Sequence, residues 1–127
     1  MGEPLEIRTG EYARARLKTD SEMTVDNSGL VHGGFTFSLA DYAAMIAVNE
    51  PNVVLASAKV RFIKPVRVGE ELMAEARVVQ VEGRKRNVEV KVFLNSNEVF
   101  HGEFVCAVLE RHVLEGAPNN QDKERVS

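Results

Sequence analysis

Apolar and polar residues alternate along most of the second half of the chain. Within Arg84 to Leu94, three valines and a leucine occupy every second position from residue 88, and Lys85, Asn87, Glu89 and Lys91 lie on the other face. A period of two places the apolar side chains on one face of a β-strand and the polar side chains on the other. The same alternation, bounded by turns rich in Gly, Asn and Pro, predicts five strands. They are Glu11 to Lys18, Val53 to Lys64, Glu71 to Val81, Arg84 to Leu94 and Val99 to Leu109.

A different pattern occupies Phe35 to Asn49, between the first and second predicted strands. This segment is rich in Ala, Leu and Met and contains neither Gly nor Pro, which predicts an α-helix that ends before Pro51. The helix is apolar nearly all round, and a helix of that kind is a buried one. The predicted fold is therefore α+β: an antiparallel curved sheet of about five strands wrapped around one central helix.

The predicted sheet leaves two edges and one face uncovered. The connections between the last four strands are too short for crossover helices, so we expect consecutive strands to pair antiparallel. Free sheet edges are prone to pair with another chain. We therefore expect a homodimer, either alone or paired into a homotetramer.

The composition fits one domain. The chain has 127 residues, of which 44% are hydrophobic, and a formal net charge of -3 that disfavours nucleic-acid binding by the domain as a whole. Its single cysteine, Cys106, cannot form an internal disulfide, and no cluster has metal-ligand spacing. No secretory signal is visible, and the longest apolar stretch is too short to span a bilayer comfortably. We expect a soluble, cytoplasmic protein without a membrane partner, with a domain at 1–115 and a disordered tail at 116–127.

Asp41 is the first candidate for chemistry. It is the only residue between Asn27 and Asn49 that is charged at neutral pH. A lone carboxylate in an apolar helix costs several kcal/mol unless it is paired, protonated or open to a cleft, and burial raises its pKa. Two interpretations stay open: a structural Asp bonded to a neighbouring strand or an arginine, and a functional carboxylate.

Gly33 and Gly34 directly precede the predicted helix. Glycines at this position let a ligand approach the backbone closely, and the first N–H groups of a helix have no acceptor within the helix. Such groups suit an oxygen on which negative charge develops, although a plain tight turn into the helix explains the same residues. His32 is equally open, since a histidine beside a turn either positions a ligand or makes a structural hydrogen bond.

Basic residues gather near the predicted strand ends. They are Arg61, Lys64, Arg67, Arg84, Lys85 and Arg86. Together they have the chemistry to bind phosphate groups. The alternative is a set of solvated charges that protect the sheet edges from aggregation.

Two segments resemble a known family. The run from Asn27 to Gly34, Asn-Ser-Gly-Leu-Val-His-Gly-Gly, continues into Ser-Leu-Ala-Asp-Tyr-Ala around Asp41 and is similar to the signature of PaaI-like hotdog thioesterases. In that family His-Gly-Gly precedes the central helix and the catalytic Asp follows the His by nine residues, as Asp41 follows His32 here. The segment Val60 to Glu70 resembles the family's next strand and its Pro-x-x-x-Gly turn. The similarity covers roughly residues 24–109.

The resemblance implies the hydrolysis of an acyl-CoA thioester without a metal or organic cofactor. Asp41 would be the general base or the nucleophile, the Gly33 backbone N–H would polarise the thioester carbonyl, and His32 would help to position it. In such families the site lies at a dimer interface, where the Asp faces the glycines of the other subunit. The family's usual Asn falls at Asp26, with Asn27 one residue later, so either Asn27 takes the amide's role or a second carboxylate replaces it.

The resemblance also implies a substrate site. Gly34 would contact the substrate, and Arg84, Lys85 and Arg61 would bind its phosphates. The acyl pocket would be lined by residues such as Phe35, Phe37, Met45 and Val54. A hotdog domain that binds acyl-CoA as a sensor without cleaving it is the main alternative, although such domains lack the helix carboxylate. A hotdog hydratase or dehydratase usually carries Asp-x-x-x-x-His, which this sequence lacks.

Overall fold

The computed structural model describes residues 2–24 and 29–110, and within them six strands surround one α-helix. The strands are β1 (Glu3–Arg8), β2 (Tyr12–Lys18), β3 (Val53–Phe62), β4 (Glu71–Glu82), β5 (Lys85–Leu94) and β6 (Asn97–Val108). The helix α1 spans Gly33–Val48, and a short 3-10 turn, Ser21–Met23, precedes it. The predicted tail at 116–127 and the candidate residues Asp26 and Asn27 lie outside the described residues.

All six strands form one antiparallel sheet in the order β1-β2-β4-β5-β6-β3. The expectation that consecutive strands pair is correct for β4, β5 and β6 but wrong for β3 and β4. β3 pairs with β6 instead, and β4 pairs with β2. The eight residues between β3 and β4 can span about 26 Å, and the three strand spacings that they must cross amount to about 14 Å, so no helix is needed for the crossing.

The first strand, β1, was not predicted. It is an edge strand with mostly exposed residues, including Leu5 and Ile7. Its pairing with β2 is supported by an ion pair between Arg16 and Glu3 at 2.9 Å. Local alternation at an exposed edge is weak, because packing against a core does not impose it.

The helix is buried as its composition predicts. The side chains of Leu39, Ala40, Ala43, Ala44 and Ala47 are fully buried, and small residues on the sheet, among them Ala74 and Ala76, allow a close approach. The helix ends at Asn49, whose left-handed backbone (φ 51°) lets its N–H donate to the Met45 carbonyl at 2.8 Å.

The helix lies off-centre on the concave face of the sheet. It packs chiefly against β4, β2 and β5 and less against β3 and β6. The middle of β3, from Ala56 to Lys59, is exposed, and this strand forms one edge of the sheet. The site described next opens toward this less covered side.

Candidate functional site

Asp41 lies in the middle of α1 with its carboxylate partly buried. One carboxylate oxygen, Oδ1, is buried and has no hydrogen-bond partner among the described residues. Burial raises the pKa of Asp41 above its usual value. A structural Asp would be expected to bond a strand or an arginine, and no such bond to Oδ1 is found in the described part of the chain.

The charge of Asp41 acts on a thiol on β6, that of Cys106. Burial, and after it the charge of Asp41, raises the pKa of Cys106 to about 11. The thiol is therefore neutral near pH 7 and adds no second charge to the site. Asp41 faces β6 as a single carboxylate on an apolar background.

The pH dependence of stability distinguishes a buried carboxylate without a partner from one that is hydrogen-bonded, because the two have opposite signs. Because burial raises the pKa of Asp41, the native protein keeps the proton over a pH range in which the unfolded chain has lost it. The penalty of ionising Asp41 is thus absent below the ordinary carboxyl pKa of about 3.9 and fully present above the raised value. We expect Asp41→Asn to melt at a higher temperature than wild type at pH 7, and the difference to shrink toward pH 4. Thermal unfolding between pH 4 and pH 8 measures it, with Glu50→Gln as the exposed-carboxylate control. If Asp41→Asn were less stable than wild type at pH 7 but not at pH 4, the ionised carboxylate would have a stabilising partner, contrary to this expectation.

The N-terminus of α1 presents free backbone donors. The N–H groups of Gly33 and Gly34 find no acceptor among the described residues, and His32 at the N-cap makes no side-chain capping bond. Both glycines are exposed to solvent. These groups, at the positive end of the helix dipole, are available to a bound carbonyl oxygen.

His32 contributes its backbone to this turn. Its N–H donates to the Met23 carbonyl at 2.8 Å, and its own carbonyl accepts from the Phe35 N–H at 3.0 Å. The imidazole is exposed and lies 6.5 Å from the half-buried Phe35 ring, centroid to centroid. His32 and Phe35 therefore flank the two glycines, and the positioning and substrate roles implied by the resemblance stay predictions.

The helix keeps Gly33 and Asp41 apart within one chain. They are eight residues apart in α1, which corresponds to about 12 Å along the helix axis. Groups that act on the same reacting carbonyl must lie within about 3.5 Å of it. A single chain therefore cannot bring both groups to one thioester.

The structure does not gather the predicted basic residues at one point. Arg84 and Lys85 lie at the β4–β5 turn, where Arg84 forms an ion pair with Glu110 at 2.7 Å. Strand pairing places this turn near Val54, at the beginning of β3, whereas Arg61 lies near the end of that strand. Arg61 is seven positions beyond Val54 along β3, which corresponds to about 23 Å. Within one protomer these cations do not form a single phosphate site.

One contact at the site was missed by the sequence reasoning. The Phe62 ring stands against Gly33, where a β-carbon on the glycine would lie 3.0 Å from its Cε1 atom. The alternation of Val60 and Phe62 in β3 indicates that both point to the concave face. The sequence offers no signal for the contact itself, because it depends on the pairing of β3 with β6.

The described residues contain no group of three or more His, Cys, Asp or Glu side chains placed to hold a metal ion. Among the same residues, no helix is long and apolar enough to cross a membrane.

A curved antiparallel sheet wrapped around one central helix is the hotdog fold. The family model of the thioesterase superfamily matches residues 28–101. The chain belongs to the thioesterase superfamily.

The similar proteins carry several different names. An uncharacterized protein from Pyrococcus horikoshii is 57% identical, with a TM-score of 0.87 over 90% of this chain and 87% of that one. The methylthioribose-1-phosphate isomerase of Aquifex aeolicus is 52% identical over 108 residues, which are 85% of this chain and 24% of that protein. Transcription factor FapR from Caldanaerobacter subterraneus is 28% identical over 114 residues, 90% of this chain and 57% of FapR. The chain thus spans about a quarter of the length of the isomerase and little more than half of the length of FapR.

Two more distant structures share the fold. A mutant of the phenylacetic acid degradation protein PaaI from Thermus thermophilus is 24% identical, with a TM-score of 0.78 over 84% of this chain and 92% of that one. A Streptococcus mutans protein bound to acetyl CoA is 18% identical, with a TM-score of 0.78 over 88% and 91%. The predicted hotdog fold and the resemblance to PaaI-like proteins are confirmed.

Proposed function

We propose that this protein hydrolyses an acyl-CoA thioester to a free carboxylic acid and CoA. The observation that carries the proposal is the Asp41 carboxylate in a mostly apolar helix, where Oδ1 has no hydrogen-bond partner among the described residues. The N–H groups of Gly33 and Gly34, which find no acceptor among the described residues, supply the complementary donors. Membership of the thioesterase superfamily supports this reaction class.

Two routes of attack use the same residues. As a general base, Asp41 takes a proton from water, whose oxygen attacks the thioester carbon. As a nucleophile, its carboxylate oxygen attacks that carbon and forms an anhydride, which water then hydrolyses. In both routes the carbon–sulfur bond breaks, and the thiolate leaves and takes up a proton. The Gly33 N–H stabilises the oxyanion that forms on the carbonyl oxygen.

The environment of Asp41 suits the base role. A general base is most effective when its pKa lies close to the working pH, because it is then both ionised and sufficiently basic. Burial moves the pKa of Asp41 in that direction. The acid limb of kcat/KM against pH should accordingly lie above the ordinary carboxyl range.

A second copy of the chain completes the site in this proposal. Because Gly33 and Asp41 of one chain are about 12 Å apart along the helix, the glycine must come from the partner. The exposed edge of β3 is the surface on which two copies would pair about a two-fold axis. Antiparallel pairing would bring the β4–β5 turn of one copy to the end of the molecule that holds Arg61 of the other.

The basic turn gives a separate prediction about the carrier. Neutralising Arg84 and Lys85 together, as the double glutamine variant, should raise KM for CoA thioesters more than for short pantetheine thioesters, because only CoA carries the nucleotide phosphates. Steady-state kinetics on matched acyl groups measure this, with Lys91→Gln on the outer face of β5 as a control. An equal response of both substrates would show that the turn does not bind the nucleotide.

Oxygen-18 water tests hydrolysis directly. We expect the acid product to carry the heavy oxygen and CoA to appear in equal amount. In a single turnover with enzyme in excess, a general base puts the label straight into the acid. A nucleophile whose anhydride is opened by water at the Asp41 carboxyl carbon instead leaves an unlabelled Asp41 oxygen in the acid and the label on Asp41. Acyl-CoA recovered unchanged after long incubation would contradict the proposed reaction.

Acyl-CoA sensing is the second candidate, because transcription factor FapR is similar over most of this chain. A sensor would bind acyl-CoA and leave it intact. Asp41 favours hydrolysis, since a sensor gains nothing from an unpartnered carboxylate in its helix. The cytoplasmic location stays a prediction in either case.

A further inference from the structure

Four phenylalanine rings form a row beneath one side of the helix. Phe62 meets Phe100 edge to face with centroids 5.1 Å apart, and Phe37 packs on Phe104 at 5.5 Å. Phe100 and Phe104 are buried, and both rings lean over Gly102, where a β-carbon would collide with Phe104. The row therefore runs continuously along β6, from the last residue of β3 to the second turn of α1.

The outer end of this row lies at the free amides of the helix. Phe62 Cε1 is so close to Gly33 that a β-carbon there would lie 3.0 Å from it, which is tighter than ordinary contact. Despite this contact, the Phe62 side chain is 53% exposed. Its ring is fixed on one side by the buried Phe100 and is open to a ligand on the other.

A cavity of about 320 Å³ lies beside this ring. Its lining is mostly apolar, with the side chains of Val31, Phe62, Ile63, Pro65 and Val66, and it also includes Gly33, Thr36 and Lys64. This volume is at the low end of the range for ligand sites. At about 30 Å³ for a small group the size of a water molecule, it holds roughly ten non-hydrogen atoms.

We propose that Phe62 is the specificity-determining residue of this site. Its ring packs against Gly33 and positions the Gly33 N–H. The same ring closes one side of the cavity, so that the cavity accepts a compact apolar acyl group. The inference rests on the proposed thioester site. If the thioester carbonyl accepts a hydrogen bond from the Gly33 N–H, either the acyl part or the pantetheine part of the substrate must pass the Phe62 ring. The apolar lining favours the acyl arm over the amide-rich pantetheine arm.

The test compares Phe62→Ala and Phe62→Leu with wild type on saturated acyl-CoAs of increasing chain length. We expect Phe62→Ala to shift the preferred acyl group to a longer chain, and Phe62→Leu to fall between. Val79→Ala, an exposed apolar residue on β4, is the matched control and should leave the order unchanged. An unchanged order in both Phe62 variants would overturn the proposal. A loss that is uniform across acyl lengths would place the ring on the pantetheine arm and would overturn it too.

A double-mutant cycle tests the contact with Gly33. Gly33→Ala should lower kcat by about 3-fold to 10-fold in wild type, because its β-carbon meets the Phe62 ring. The same change should cost little in the Phe62→Ala background, where the ring is absent. An equal loss of kcat in both backgrounds would show that Phe62 does not position Gly33.

Binding separates this inference from the proposed reaction. Non-hydrolysable thioether analogues of the same acyl series can be titrated by calorimetry against wild type and both Phe62 variants. If no thioester is hydrolysed but the preferred chain length still shifts in the variants, the reaction fails and Phe62 keeps its role. If hydrolysis proceeds and the preference does not shift, the role of Phe62 fails alone.

Discussion

Replacing Asp41 with Asn is expected to lower kcat at least ~100-fold, the usual scale for lost acid–base help, while the fold stays intact. The amide has nearly the same shape as the carboxylate but neither accepts a proton nor attacks a carbonyl. Because Asp41 is partly buried with Oδ1 unpartnered, removing its charge relieves a cost and does not break a bond in the described residues. Steady-state thiol release by the folded variant measures the effect.

Two controls make the Asp41 result specific. Glu50→Gln removes an exposed carboxylate just beyond the helix end and should leave kcat unchanged. Asp41→Glu keeps a carboxylate but displaces it by one methylene, and misplacement on the order of 1 Å costs about 100-fold. Full activity in Asp41→Asn would mean that another residue performs the chemistry.

Mixing two inactive variants is expected to restore activity. Gly33→Pro removes the backbone N–H of Gly33, and proline is well accommodated at the first position of a helix. His32 already has ψ 134°, which is the range that a following proline requires. Loss of one oxyanion donor lowers kcat about 100-fold to 1,000-fold. Gly33→Ala is the matched control: it adds a β-carbon and keeps the N–H, so it should show only the loss of about 3-fold to 10-fold that its contact with Phe62 causes.

The mixed dimer then contains one intact site. Asp41 from the Gly33→Pro chain would meet Gly33 from the Asp41→Asn chain, whereas the second site lacks both groups. Random pairing of equal amounts makes half of the dimers mixed, so co-refolded chains should recover roughly a quarter of wild-type activity. Separately tagged chains, purified as the mixed dimer, allow the recovery to be measured. A mixed dimer as inactive as its parents would show that the two groups do not act across chains.

The helix and its carboxylate could be predicted because both signals are local. An all-round apolar segment with one charge identifies α1 and Asp41 without any knowledge of the sheet. The strands β4, β5 and β6 were predictable for the same reason, since one face of each packs on the core and imposes alternation.

What the sequence did not reveal depends on contacts between distant residues. β1 is an exposed edge whose order comes from pairing with β2, so its own residues carry little signal. The position of β3 beside β6 follows from the path of the chain between β3 and β4. That pairing brings Phe62 opposite Phe100, and through it to Gly33, which is 29 residues earlier in the chain. The separation of Arg61 from Arg84 has the same origin.

The most direct test of the account is thiol release from short, long and branched acyl-CoAs by wild type and Asp41→Asn, measured side by side in the same buffer. The account predicts release by wild type from at least one member of the panel and its near-complete loss in the variant, with acyl-CoA binding retained by both. Tight binding of acyl-CoA by wild type without release of any thiol would contradict the thioesterase assignment and favour a sensor.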